Sequence, residues 1–496
     1  MSLETTLPLL VLLTSLIPGI VIFTLPERRH GIRTTLNVGA AVAKLLLTAV
    51  MAAGVASGYR YETRFGFVPG ADLVLRADSW ALMFVILSAT LWLATTVYAV
   101  GYLEESPERS RFFGFFSLCV ASTMGIALAG NLVTFFVFYE LLTITTYPLV
   151  VHRGTREALR AGDMYLRYTI SGGVLLLAGI VAIHALAGHG DFEEGGFLAA
   201  VGEHRRPALV VAFALLVTGL SVKAAIFPLH RWLPVAMVAP APVSALLHAV
   251  AVVKAGAFGI TRVVYDVYGL RFARDLGVTR FLAIAAAVTI LYGSFAALLQ
   301  TDLKRRLAYS TVSQISYIIL GIAVFGSLST IGGTVHLVHQ GLMKVTLFFC
   351  AGNLAEELGI HEIDQMRGVG RRMPLTMAAF TIGALGMIGI PPIAGFVTKW
   401  YLGLGLLEAG EPWYVAVLLA STLLNAAYFL PIVYDAWFAP PSIVFRERRD
   451  PTELQLTLLL PTIATALLSL GVGLLAGWSW SPLGWAKLIA SRELRP

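Results

Sequence analysis

Charge is what this chain lacks most. Asp, Glu, Lys and Arg make up 13% of its 496 residues, where a soluble globular protein carries about 25%. With 57% hydrophobic residues and a mean hydropathy of +0.79, the shortfall excludes a soluble enzyme. Cysteine is nearly absent. The two copies, Cys119 and Cys350, each sit in an apolar run, which argues for packing and against a disulfide, a metal site or a redox pair. No cluster of carboxylates lies inside the apolar runs to announce a sodium or other metal site. The formal charge of +7 does not point to nucleic acid. Its basic residues gather in short loops, where the positive-inside bias places them.

Apolar runs of about 20 residues recur along the whole chain, and each is long enough to cross a bilayer as a helix. Lipid offers the backbone no hydrogen-bond partners, so such runs satisfy it internally. The fold class expected is an all-α polytopic membrane protein, a single membrane domain over 1–496 with about 14 spans. The first eight fall near 7–25, 34–57, 79–103, 111–129, 131–151, 164–187, 207–239 and 241–266. Six more fall near 279–299, 308–327, 329–356, 374–409, 412–437 and 455–478. The first run is followed by Glu27-Arg28-Arg29-His30 and lacks a small-residue cleavage site, so it reads as a retained helix, not a signal peptide.

Two spans are too long for one straight crossing, and both carry proline in the middle. One breaks at Pro228, the other at Pro391-Pro392. Proline lacks the N–H and clashes with the carbonyl four residues back. A pair of Pro-interrupted spans in matching positions points to an inverted-repeat transporter. The two breaks lie five spans apart. They suggest five-helix repeats over 111–266 and 279–437. The loops at 26–33, 104–112, 152–162, 301–306, 356–373 and 438–454 hold the larger share of Lys and Arg, which places both termini outside the cytoplasm. The Gly- and Glu-rich loop at 188–206 then lies on the external surface.

Five lone charges stand inside these runs: Glu140, Lys223, Lys254, Lys344 and Lys399. A charge at bilayer depth costs about 2.5–3.5 kcal/mol even on the lenient insertion scale. Such groups persist where they pair, face water or carry ions, so the set reads as a proton relay. Glu140 sits near mid-span in Phe138-Tyr139-Glu140-Leu141. A helix-end surface carboxylate is the plainer alternative. Lys223 lies just before Pro228, and a Glu140–Lys223 pair that opens and closes would switch the lysine between holding and releasing a proton. Lys399 follows the second break and is the counterpart of Lys223 by order of spans. His248 and Lys254 share the next helix, about 120° from eclipsing. Histidine exchanges protons near neutral pH, which suits a stepping stone, while a packed histidine remains the alternative. His336, Gln340 and Lys344 form one helical stripe at i, i+4 and i+8, with His339 beside it. For Gln340, polar glue between helices is the competing reading. Asp302, Lys304, Arg305 and Arg306 read as a short basic loop that sets topology.

The chain resembles the antiporter-like subunits shared by respiratory complex I, Mrp-type cation/proton antiporters and membrane-bound hydrogenases. The resemblance rests on Pro228-Leu229-His230-Arg231-Trp232-Leu233-Pro234 and Ala239-Pro240-Ala241-Pro242-Val243-Ser244-Ala245-Leu246-Leu247-His248. It rests also on Asp302-Leu303-Lys304-Arg305-Arg306-Leu307-Ala308-Tyr309-Ser310-Thr311-Val312-Ser313-Gln314 and Gly389-Ile390-Pro391-Pro392-Ile393-Ala394-Gly395-Phe396. It implies 14 helices in two inverted five-helix units, a Glu140–Lys223 pair, a central Lys254 and a terminal Lys399. It implies proton movement along a hydrated axis inside a larger complex of membrane subunits, with no redox site or cofactor of the subunit's own. The chain ends soon after the last span, without the lateral-helix extension of L-type and A-type relatives. M-type subunits commonly have glutamate where Lys399 stands, so the D-type Mrp or N-type subunit fits better. Where L-type relatives often have histidine, Gln340 cannot carry a proton, and a relay there needs water, His336 or His339.

The first function expected is therefore a D-type subunit of a multisubunit Na+/H+ antiporter, multi-pass in the cell's inner (plasma) membrane. Its partners would be other membrane subunits, protons, sodium as candidate co-ion, and the lipid bilayer. The alternatives are an N- or M-type subunit of complex I NADH:quinone oxidoreductase, a membrane-bound hydrogenase subunit, or the membrane partner of an inorganic-carbon uptake system.

Overall fold

The computed structural model describes residues 3–68, 71–104, 106–442 and 453–494. Hydropathy dictates helices, and helices follow: α1 (Leu3–Phe23) and α2 (His30–Ala56), then, after a hairpin, α3 (Ser79–Tyr102), α4 (Arg109–Ala127), α5 (Leu132–Val150) and α6 (Arg156–Ala187). Next come α7 (Arg206–Ala224), the single turn α8 (Trp232–Val235), α9 (Ala241–Ala249), α10 (Val252–Arg262), α11 (Leu270–Asp275) and α12 (Val278–Leu298). The rest are α13 (Leu303–Ala323), α14 (Ser327–Leu358), α15 (Pro374–Ile388), α16 (Ala394–Glu408), α17 (Pro412–Phe438), α18 (Leu456–Leu474) and α19 (Pro482–Glu493). Asp78, Asn131, Thr155 and Asp302 each accept a first-turn backbone N–H, which satisfies a donor that the helix itself leaves orphaned.

Among the described residues, eleven helical stretches are long and apolar enough to cross a membrane, ten of them single helices and one, Ala241–Val267, running through α9 and α10. The remaining expected spans correspond to α13, α14 and the pair α15–α16. The first two are 21 and 32 residues long, but their many polar residues lower their hydropathy. The last pair is split into two 15-residue pieces.

Both expected breaks are present. After α7 the chain leaves the helix through Ala225 at φ 56°, and Phe227–Pro228 is cis. After α15 it turns through Gly389 at φ 94°, and Pro391–Pro392 is cis. A third break was not expected. The span at 241–266 is interrupted between α9 and α10, where the amides of Val250 and Ala251 both reach the Leu246 carbonyl. His248 and Lys254 therefore sit on separate helices, and the angle expected between them on one helix does not apply.

The stretch before α3 is also not a plain loop. Strands β1 (Tyr61–Val68) and β2 (Ala71–Ala77) pair antiparallel, Tyr61 opposite Ala77. Tyr61 and Thr63 turn to the same face and are buried, while Glu62 between them is half-buried and the strand beyond, from Arg64 to Phe67, is exposed. Arg64 bonds Asp72 across the hairpin at 3.2 Å and holds the hairpin to the 188–206 loop through Asp191 at 2.9 Å. At the centre of the molecule, α10 is buried over its whole length, as is the middle of α14.

Candidate functional site

The sequence-expected residues fall on neighbouring helices. Glu140 comes from α5, Lys223 from the end of α7, His248 from α9 and Lys254 from α10. His336, His339, Gln340 and Lys344 share α14, and Lys399 lies on α16. The helices α7 and α10 pack together, as do α9 and α14, α10 and α13, and α14 and α16. Gly256 makes the first of these contacts possible: a Cβ there would stand 2.2 Å from the Ala224 amide nitrogen.

Lys223, Lys254 and Lys344 are fully buried; Lys399 is half-buried. Each points its ammonium at backbone carbonyls. Lys254 donates to Leu337 O at 2.7 Å. Lys344 donates to Leu307 O at 2.9 Å and to the Ser310 hydroxyl. Lys399 donates to Ile388 O at 2.6 Å and to Thr422 Oγ1 at 2.8 Å, with the Tyr317 ring 5.7 Å away. Lys223 donates to Tyr139 O and lies 3.4 Å over the Tyr139 ring.

The Glu140–Lys223 pair, expected to open and close, is open in this structure. Among the described residues no ion pair of 4.0 Å or less joins them. The Tyr139 carbonyl and ring take up the ammonium instead, although the two charges remain close enough to interact. Glu140 approaches Gly173 on α6, where a Cβ would meet its carboxylate, and its Oε1 has no hydrogen-bond partner.

Polar groups between the lysines are under-satisfied. Neither ring nitrogen of His248 has a partner, nor does either amide atom of Gln340. His339 Nδ1 meets Thr398 Oγ1 at 3.0 Å, which ties α14 to the turn before Lys399, and His336 lies 5.4 Å from the Tyr317 ring. Buried polar atoms without protein partners are usually satisfied by internal water. The arrangement is thus a row of titratable groups in which each lysine is fixed by a carbonyl that cannot take its proton, while the polar atoms between them are of the kind that internal water satisfies.

One expectation needs correction. Asp302 through Arg306 is not a loop: Asp302 caps α13 and the other residues begin it. Lys304 donates to Ala239 O at 2.6 Å, and Arg306 to the carbonyls of Gln300 and Tyr428. These side chains tie helix ends together. Sequence reasoning also missed Lys44, fully buried on α2, although Ala43-Lys44-Leu45 carries the same signal of a lone charge in an apolar run. It missed Arg262 as well, which is 1% exposed and bonded to Asp78 at 2.7 Å and Asp266 at 2.9 Å.

With this geometry in hand, the family model for the NADH:quinone oxidoreductase/Mrp antiporter transmembrane region matches residues 129–425. The chain belongs to this family. The N-type subunit of NADH-quinone oxidoreductase from Desulforudis audaxviator is 36% identical over 428 residues, 82% of each chain. The D-type subunit of the Na(+)/H(+) antiporter from Bacillus subtilis is 30% identical over 452 residues, covering 88% of this chain and 89% of that one. The fold resembles a chain of the Mrp complex from Dietzia sp., with TM-score 0.87 at 23% identity, covering 100% of this chain and 98% of that one. The matched region holds Glu140, Lys223, Lys254, Lys344 and Lys399 together with both proline breaks, and leaves α1–α4 outside it.

Proposed function

We propose that the chain is the proton-translocating, D-like subunit of a multisubunit Na+/H+ antiporter in the plasma membrane, assembled with other membrane subunits. Protons pass between Glu140 and Lys223, then Lys254, and finally Lys399, with His248, His336, His339 and Lys344 as secondary stations. The observation that carries this reading is the row of lysines held by carbonyls and hydroxyls. A buried ammonium without a counter-charge is costly, so each lysine gains by passing its proton on. The neutral amine still has N–H groups for the same carbonyl, and its lone pair is free to take the next proton from water. Residues 111–266 and 279–437 act as two matching halves, each with one proline break beside its lysine.

The N-type reading has its own support, since that relative shares 36% identity against 30% for the D-type one. Vesicles holding the native complex separate the two readings. A sodium gradient and NADH would be supplied in turn to wild type, Lys223→Ala and Lys399→Ala. Sodium-driven pH change, lost in both variants, is the expected result. NADH-driven change alone would move the chain to the respiratory class. Variants that transport like wild type would sink the relay.

A further inference from the structure

Lys44 is an intramembrane charge that the row described above does not use. It sits mid-way along α2, fully buried, and donates to Ser15 Oγ on α1 at 2.7 Å. The Trp92 ring of α3 lies 4.5 Å from its Nζ. Among the described residues no carboxylate lies within 4.0 Å of it. An apolar side chain would fill this place without the cost of a buried charge.

A polar line leads to it from one membrane surface. Glu27, half exposed, stands 3.5 Å from Arg33, which donates to Ser110 Oγ at 2.7 Å. One turn on, Asn37 Oδ1 accepts from Ser117 Oγ at 2.9 Å. Arg33, Asn37, Lys44 and Thr48 share the buried face of α2, and from Arg33 to Lys44 the helix climbs roughly 16 Å.

The line continues toward α14. Thr48 Oγ1, Ser88 Oγ, Trp92 Nε1 and Thr96 Oγ1 are all buried and have no partner. Ser88 and Thr96 lie one turn to either side of Trp92 on α3, and α3 packs on both α2 and α14. Leu87, next to Ser88, touches Gly341, where a Cβ would stand 3.1 Å from it. Gln340, whose amide is unpartnered on both atoms, is the neighbour of that glycine. Orphaned hydroxyls on both sides of one helix contact are where internal water is held.

We propose that Lys44 is a proton-exchange site on a side branch, filled from the Glu27–Arg33 surface and feeding the central row at Gln340. The ammonium gives its proton to water beside Ser88 and becomes an amine, which takes a new proton from water on the Asn37 side. The branch rests on the reading that this chain moves protons. It lies outside the residues of the family model and touches no group of the Glu140–Lys399 row directly.

The test uses the native complex in vesicles. Lys44→Met is expected to assemble and to slow proton flux by about tenfold, in keeping with the loss of a proton-transfer group. Lys44→Cys is expected to react with a water-soluble methanethiosulfonate, against a wild-type control for Cys119 and Cys350. Wild-type flux in Lys44→Met, or an inert Lys44→Cys, overturns the branch. If Lys44→Met fails to assemble, Ser15→Ala and Asn37→Leu keep the lysine and carry the flux test, and unchanged flux in both overturns it. Lys399→Ala is the companion control. If it leaves flux intact the main relay has failed, whereas loss there with wild-type flux in Lys44→Met fails the branch alone.

Discussion

Ile388 shows how a half-buried lysine finds a partner without a carboxylate. Proline at 392 has no N–H, so the Ile388 carbonyl lacks its helical donor, and Lys399 Nζ supplies one at 2.6 Å. Lys399→Ala should therefore do two things. Proton flux should fall by about tenfold or more, and the melting temperature should drop, because an orphaned buried carbonyl costs about 1–3 kcal/mol. Lys399→Arg keeps the donors but holds its proton at any working pH. It should melt near wild type while conducting as poorly as Lys399→Ala, and flux restored by arginine would remove the titrating role. Glu493, on α19 outside the candidate spans, offers a pH test. Burial, helped by the nearby Asp266, lifts its carboxyl from 4.5 to about 9. The contribution to stability is complete below pH 4.5 and is lost as pH rises toward about 9, since the unfolded chain ionises first. Glu493→Gln should accordingly gain stability relative to wild type between pH 6 and 9, read from melting curves across that range; parallel curves would refute it. At this scale the lysines inside the family region were legible, since a lone charge in an apolar run is visible in the sequence. Their partners were not. A backbone carbonyl leaves no mark in the residue letters, so the hold of the Tyr139 carbonyl on Lys223 could not be read there.

Among the elements, the proline breaks were legible and the proline-free one was not. Pro228 and Pro391–Pro392 announce themselves by chemistry. The interruption between His248 and Lys254 passes through Val250 and Ala251, residues with no breaking signal, where α9 packs against α14 and α10 against α7. The hairpin at 61–77 was not legible, because apolar runs of about 20 residues mark membrane helices and a short strand carries no such run. These breaks also give an element-scale prediction. Replacing both Pro391 and Pro392 by alanine removes the two breakers and returns an N–H to the position that serves the Ile388 carbonyl in a continuous helix. The helix should extend toward residue 392 and compete with Lys399 for that oxygen. Flux should fall while melting temperature stays level or rises, since alanine removes a helix breaker worth about 3 kcal/mol. A variant that loses stability and keeps flux would show that the break does not position Lys399.

Across the molecule, one buried cation joins parts that are distant in sequence. Arg262 closes the end of α10, the helix of Lys254, and its guanidinium reaches Asp78 at 2.7 Å and Asp266 at 2.9 Å. Asp78 is also the cap of α3, accepting from the Ala81 amide at 2.8 Å. Through this triad the start of α3 is tied to the far end of α10, so the α1–α4 bundle and the lysine row are held in one register. The overall class was legible from composition, because an apolar chain has few options in lipid. This cross-tie was not, since Asp78 and Arg262 are 184 residues apart and each lies at the edge of an apolar run, where a surface charge is the ordinary reading. Removing the arginine leaves two carboxylates facing each other beside buried surface. Arg262→Ala should therefore cost about 3–5 kcal/mol, the usual penalty for breaking a buried pair from one side. Replacing both inner partners by well-packed apolar residues is often neutral, so Arg262→Leu with Asp266→Leu should recover most of that loss, with Asp78 free to go on capping α3. Melting of the purified complex measures both. A double variant no better than the single would mean that the guanidinium's bond to Asp78, not relief of an unpaired Asp266, holds the bundle to the row.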